Sequence, residues 1–171
     1  MRYLRGTLSY GFLLTPCTSF VLSVYADADW AGCPDTRRST TGYAFYFWSN
    51  LISWSSKKEP RVSRSSTESE YRSVAFAVAE SSWISSLLRE LSVSLSYPVR
   101  VYCDNVSATY LVLNPLFHAR TKHIEIDFHF VREKVASGEV VVRYVPSEDQ
   151  VADIKSMFSF IARSYYEKTR V

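Results

Sequence analysis

Hydrophobic residues along the chain group into short strand-like runs and a few helical stripes. From Phe20 to Ala26 the chain is nearly continuously apolar, as in a strand buried on both faces. Gly42 to Trp48 is aromatic-rich and strand-like, Ser49-Asn50 is a plausible two-residue turn, and Leu51 to Ser55 reads as the returning strand. Three successive strands with short connections predict an antiparallel meander. The strongest helical signal follows: Val74, Ala77, Ser81, Ile84, Leu88 and Leu91 alternate spacings of three and four and make one stripe. Ser65 with Glu68 and Thr67 with Glu70 both fit the capping-box pattern at its start. After Pro98 comes an apolar strand, Val99 to Cys103, and a helix from about Val106 to Leu113. Ile124, Phe128, Val131 and Val135 give the buried face of another helix, which Gly138 ends. Glu139 to Val145 is a last strand stopped by Pro146. Ser147 with Gln150 then predicts a capping box for a final helix holding Asp149 and Asp153.

The 171 residues fit one domain with short appendages, and 47% hydrophobic content is enough for a real core. A net charge of +3 permits a polyanionic partner without demanding one. The three cysteines, Cys17, Cys33 and Cys103, are scattered and form no C-x-x-C pair, which argues against a disulfide framework and against zinc. His118, His123 and His129 lack the i, i+4 spacing with which helix histidines share a metal. Nothing in the chain reads as a signal peptide or a membrane span, so the expected location is intracellular, cytoplasmic or nuclear.

The chemistry lies in carboxylates at element ends. Asp27 and Asp29 stand two apart at the mouth of the first strand, where alternate residues project to one side. Carboxylates are rarely buried without a partner or a metal, so the pair reads either as cation ligands or as the start of a solvated turn. Glu70 lies four residues before Val74 and extends the buried stripe, whereas Glu68 is about 200° of helix rotation away from Glu70. Glu70 therefore faces the sheet end, caps the helix, or does both. Asp104 ends the Val99 strand, where open α/β sheets place ligands, although capping the next helix is an ordinary task for Asp. Convergence of Asp27, Glu70, Asp104 and Asp153 at one sheet end would make the four raise one another's pKa until cations neutralise them. Two Mg²⁺ ions about 4 Å apart are the usual solution, and such a centre makes or breaks phosphodiesters. Oxygen-only ligands favour Mg²⁺ or Mn²⁺ over zinc.

The ordered motifs YADADWAG, SSTESEYRSVAFA, VYCDN and VPSEDQVAD strongly resemble the ribonuclease H domain of copia-type LTR-retrotransposon Pol polyproteins. RYLRGTLSYG, CPDTRRSTTGY, LISWSSKK and HARTKHIEIDFHFVRE fit the same pattern, and the resemblance runs from Met1 to about Ile154. It implies an α/β ribonuclease H-like fold, a five-stranded mixed sheet flanked by helices. It divides the chain into a remnant of the polymerase connection at 1–18, the ribonuclease H domain at 19–154 and a divergent tail at 155–171. The implied activity is endonucleolytic cleavage of the RNA strand of RNA–DNA hybrids with two Mg²⁺ ions, Mn²⁺ substituting.

Residue by residue, Asp27 matches the first catalytic aspartate of that family, with Asp29 the lesser candidate. Glu70 matches the helix glutamate, Asp104 the aspartate ending the fourth strand with Asn105 beside it, and Asp153 the last aspartate. Asp27, Glu70 and Asp104 are thereby implied as primary metal ligands, and Asp153 as completing one metal site. Hybrid recognition would be by shape, through phosphates and 2′-hydroxyls. The candidates for nucleic-acid contact are Arg37, Arg38, Lys57, Lys58, Asn105, Arg120 and Lys122.

Two departures bear on activity. Family members usually continue past Ala-Asp-Ile with Thr-Lys-Pro-Leu, and here Lys155-Ser156-Met157-Phe158 follows. No Tyr-x-Asp-Asp polymerase box occurs in the chain, so a polymerase would have to be a separate fragment. The interval before the last aspartate also lacks the mobile histidine often found in cellular-type ribonucleases H. Two other readings stay open: a catalytically inactive retrotransposon remnant that at most binds nucleic acid, and an integrase-like enzyme using Glu148 in place of Glu70.

Overall fold

A computed structural model of the protein describes residues 14–114 and 124–153. Arg120, Lys122, His118, His123, most of the 1–18 segment and everything after Asp153 lie outside the described residues. The elements run β1 (Leu22–Asp29), β2 (Thr40–Phe47), β3 (Asn50–Lys58), α1 (Ser66–Glu90), β4 (Val99–Cys103), α2 (Val106–Leu113), α3 (Glu125–Ala136) and β5 (Val140–Tyr144), with a 3₁₀ turn at Ser147–Asp149.

The five strands form one sheet in the order β3-β2-β1-β4-β5. β1, β2 and β3 pair antiparallel, as the meander predicts. β4 joins β1 in parallel after the crossover through α1, and β5 joins β4 in parallel. The sheet is therefore mixed, and its parallel half places the carboxyl ends of β1 and β4 side by side. That arrangement, rather than any local propensity, is what brings distant carboxylates together.

β1 alternates more than its apolar run suggests. Leu22, Val24, Ala26 and Ala28 are buried, while Ser23 and Tyr25 are only partly so. Tyr25 stacks on Tyr102 of β4, with ring centroids 4.8 Å apart, and meets Tyr46 of β2 edge-on. Against the buried face packs α1, through Tyr71, Val74, Ala77, Val78 and Ile84. Each fully buried large apolar side chain contributes about 1.5–3 kcal/mol, so this stripe outweighs the helix's many serines. Three of those, Ser69, Ser73 and Ser81, are buried, and each hydroxyl donates to a main-chain carbonyl three residues earlier. The stripe runs out before the pattern does: Leu91 is 65% exposed at the C-cap. The core continues through Val101 and Cys103 of β4, Phe128 and Val131 of α3, and Val140 and Val142 of β5.

Two local expectations are corrected. The β2–β3 turn is Trp48-Ser49, one residue earlier than predicted, with Trp48 in the left-handed region at φ 57. Asn50 is drawn into β3 because its buried amide accepts from Thr15 N at 2.8 Å and donates to Thr15 O at 3.0 Å. At the other end, Ser147 and Gln150 do not make a capping box. The 3₁₀ turn has no side-chain cap, because both residues bond elsewhere.

Candidate active site

Parallel registry builds the site. Tyr25 of β1 pairs with Tyr102 of β4, so two residues further along each strand lie Asp27 and Asp104. Asp27 is the penultimate buried residue of β1 and pairs with Gly42 of β2. Its neighbour Asp29, two residues on at the end of β1, is exposed, and its charge raises the Asp27 carboxyl less than those of Asp104 and Asp153 do. The Asp29 carboxylate folds back over Gly32, where any Cβ would collide with it.

Glu70 enters from the first turns of α1 and is 7% exposed. The capping alternative for it is set aside, because Ser65 is the N-cap and accepts from Glu68 N at 3.1 Å. Glu68 accepts in turn from Arg64 N, one residue before the cap, at 3.0 Å, and it also pairs with Arg72 at 2.8 Å. Glu70 is left pointing at the sheet. Its Oε2 lies 3.9 Å from Cys103 Sγ, and ligand atoms of Glu70, Cys103 and Asp104 all fall within 4.8 Å of one another.

The helix-cap alternative for Asp104 is also displaced. Asn105 is the N-cap of α2, its Oδ1 accepting from Ala108 N at 2.9 Å. Asp104 is half-buried and accepts instead from Ser147 Oγ at 2.8 Å. The charge of Asp153, after that of Asp104, raises the Asp27 carboxyl. Gln150 holds this last segment, donating from Nε2 to Ala26 O at 3.0 Å and accepting at Oε1 from Ala152 N at 3.2 Å. Glu148, the alternative last carboxylate, is exposed on the 3₁₀ turn.

The electrostatics are those of a crowded acidic site. Burial, then the charges of Asp104 and Asp153, hold the Asp27 carboxyl at about 7. Burial, then Asp27 and Asp104, hold Glu70 at about 9, against a smaller opposing pull from the Ala28 backbone. Burial also drives the Cys103 thiol well above its ordinary range. Without a cation the site must keep protons that free carboxylates would lose. Carboxylate oxygens dominate the donor set, and a hard divalent cation fits them.

Of the cationic candidates, Arg37 and Arg38 are exposed in the β1–β2 loop, and Lys57 and Lys58 are exposed at the end of β3. Registry sets Lys58 opposite Thr40 and Thr40 opposite Asp29, so these cations share the carboxylates' end of the sheet. Lys58 is not a simple free charge: its Nζ lies 2.8 Å from Cys33 Sγ. The amide oxygen of Asn105 is committed to its cap.

Sequence reasoning missed three residues. Ser147 and Gln150 looked like a cap and carried no other signal. Glu59 is 3% exposed and accepts from Thr41 Oγ1 at 2.9 Å and Ser63 Oγ at 3.2 Å, with Arg72 at 3.6 Å. A single acid inside the basic stretch from Lys57 to Arg64 was its available sign.

No protein-family model matches the chain. Over 153 residues, 90% of its length, it is 53% identical to the retrovirus-related Pol polyprotein from transposon RE2 of Arabidopsis thaliana. The chain spans about a tenth of the length of that polyprotein. Its fold is similar to the N-terminal ribonuclease H domain of a Mycobacterium tuberculosis protein, with a TM-score of 0.59 at 13% identity, covering 85% of this chain and 99% of that one. It is also similar to part of the foamy viral protease-reverse transcriptase solved in complex with an RNA/DNA hybrid, with a TM-score of 0.56 at 13% identity, covering 92% of this chain and 21% of that one. The chain is thus a homologue of the copia-type retrovirus-related Pol polyproteins over nine-tenths of its length, and it has the ribonuclease H-like α/β fold.

Proposed function

We propose that the chain is a ribonuclease H that hydrolyses the RNA strand of RNA–DNA hybrids endonucleolytically, as the corresponding part of a retrotransposon reverse transcriptase. The observation that carries this reading is the meeting of Asp27, Glu70 and Asp104 at the carboxyl ends of the adjacent parallel strands β1 and β4. Homology to Pol polyproteins, and the hybrid present in the foamy viral complex, support the substrate.

Asp27, Glu70 and Asp104 would hold the primary divalent cations, with Asp153 completing one site. Mg²⁺ suits these oxygen donors, and Mn²⁺ substitutes. Such ions, when bound, would make an attacking water more acidic and would stabilise charge on the leaving oxygen. In the proposed hydrolysis water would add to phosphorus as the bond to the 3′-oxygen breaks, one water proton would end on that oxygen, and the products would carry a 5′-phosphate and a 3′-hydroxyl. Ser147 orients Asp104 for its task. Arg37, Arg38, Lys57, Lys58, Arg120 and Lys122 are proposed to hold phosphates, with Asn105 beside the cut strand. A polymerase supplied by a separate chain is the proposed partner, and the proposed location is intracellular.

The test is an end-labelled RNA–DNA hybrid incubated with the purified chain in Mg²⁺, Mn²⁺ or EDTA, beside Asp27→Asn and Asp104→Asn. Metal-dependent cutting of the RNA strand, absent from both variants, is the expected result. Equal cutting by variants and wild type would place the chemistry elsewhere. A folded chain that binds hybrid and cuts nothing would be the non-catalytic remnant.

A further inference from the structure

We infer that Gln150 is the positioning residue for Asp153: its side-chain amide docks the last carboxylate onto β1 from the N-terminal side. This rests on the ribonuclease H reading of the site. Asp153 follows a single 3₁₀ turn and sits outside every helix and strand of the described residues. The residues just before it set where it lies relative to β1.

Gln150 does so with both ends of one amide. Nε2 donates to Ala26 O at 3.0 Å, one residue before Asp27. Oε1 accepts from Ala152 N at 3.2 Å, one residue before Asp153. A single planar group therefore spans the two main chains that carry the two carboxylates. The Gln150 main chain adds a third tie, its carbonyl accepting from Asp153 N at 3.3 Å. Gln150 is 3% exposed and Ala152 is fully buried, so neither bond is replaced by water when it breaks. Ser147, on the same segment, ties Asp104. The interval from Ser147 to Asp153 is thus stitched to the site at two points.

The test uses the full chain with Gln150→Leu, which keeps the bulk and loses both bonds. Hydrogen exchange is read first, without metal. The Ala152 amide should exchange at least tenfold faster in the variant while β1 and β4 amides keep their rates. Unchanged exchange at Ala152 would overturn the inference, and so would faster exchange throughout the sheet, since Gln150 would then be merely structural. Metal dependence is read second, by Mn²⁺ titration calorimetry and by hybrid cleavage. Half-saturation should move up at least fivefold in Gln150→Leu with the KM for hybrid little changed. In an Asp153→Asn background the same substitution should add less than twofold; a full additional effect would mean that Gln150 does not act through Asp153. A wild type that cuts nothing would defeat the ribonuclease H reading, while the exchange and calorimetry would still decide the role of Gln150.

Discussion

Ser147 Oγ donates a 2.8 Å hydrogen bond to Asp104 Oδ2 across 43 residues of sequence. The bond joins the loop after β5 to the residue after β4, and the parallel pairing of Cys103 with Tyr144 makes it geometrically short. Groups that orient a metal-binding carboxylate typically change metal affinity 10- to 100-fold when removed. Ser147→Ala should therefore raise the Mg²⁺ concentration for half-maximal cleavage about tenfold, with the thermal midpoint little changed. A metal titration of cleavage, run beside a melting curve, checks this.

Stability should depend on pH in a direction set by the acidic site. Asp27 is held at about 7 and Glu70 at about 9, against ordinary values of 3.8 and 4.5. Between those limits the folded chain keeps protons that the unfolded chain has released. Stability is then fully present below about pH 4 and is lost as pH rises through 7 and 9. Urea unfolding in EDTA at pH 5, 7 and 9 should give falling free energies. Mg²⁺ should restore most of the loss at the high end, because a cation that binds only the native cluster favours folding. A flat profile in EDTA would mean that the carboxylates are not crowded.

Glu59 is a structural carboxylate with three partners, Thr41, Ser63 and Arg72, from β2, the loop before α1 and α1 itself. Removing it leaves the buried hydroxyls of Thr41 and Ser63 without their acceptor, at about 1–3 kcal/mol, while Arg72 keeps its shorter pairing with Glu68. Glu59→Ala should lower the unfolding free energy by about that amount, whereas exposed Glu80→Ala should change it by less than about 0.5 kcal/mol. Chemical denaturation of the two variants separates them.

Cys33 should be the most reactive thiol among the described cysteines. Its hydrogen bond with Lys58, then those from Thr36, bring it down to about 6, and it stands in the exposed β1–β2 loop region. Cys103 is fully buried and held protonated. Iodoacetamide labelling should rise with pH around a midpoint near 6 at Cys33, and Lys58→Ala should move that midpoint toward the ordinary thiol range. Mass spectrometry of the labelled peptides reads both.

The sequence alone was sufficient for most of the elements and for the order of the carboxylates. Periodicity settled α1 from Val74 to Ile84, and β4 and α2 fell at the predicted residues, because those signals are local: spacing, a preceding proline, a polar cap. Placing Glu70 on the sheet-facing stripe needed only 3.6 residues per turn. What spacing left undecided was which of two competent neighbours does each task. Ser65 and Glu68 rather than Thr67 and Glu70 made the cap, and Asn105 rather than Asp104 capped α2, which freed two carboxylates for the site. Ser147 and Gln150 gave up a predicted cap because partners 43 and 124 residues away offered better bonds. Hydrogen bonds between segments so far apart have no period in the sequence, and only the parallel pairing of β1, β4 and β5 determined that they form.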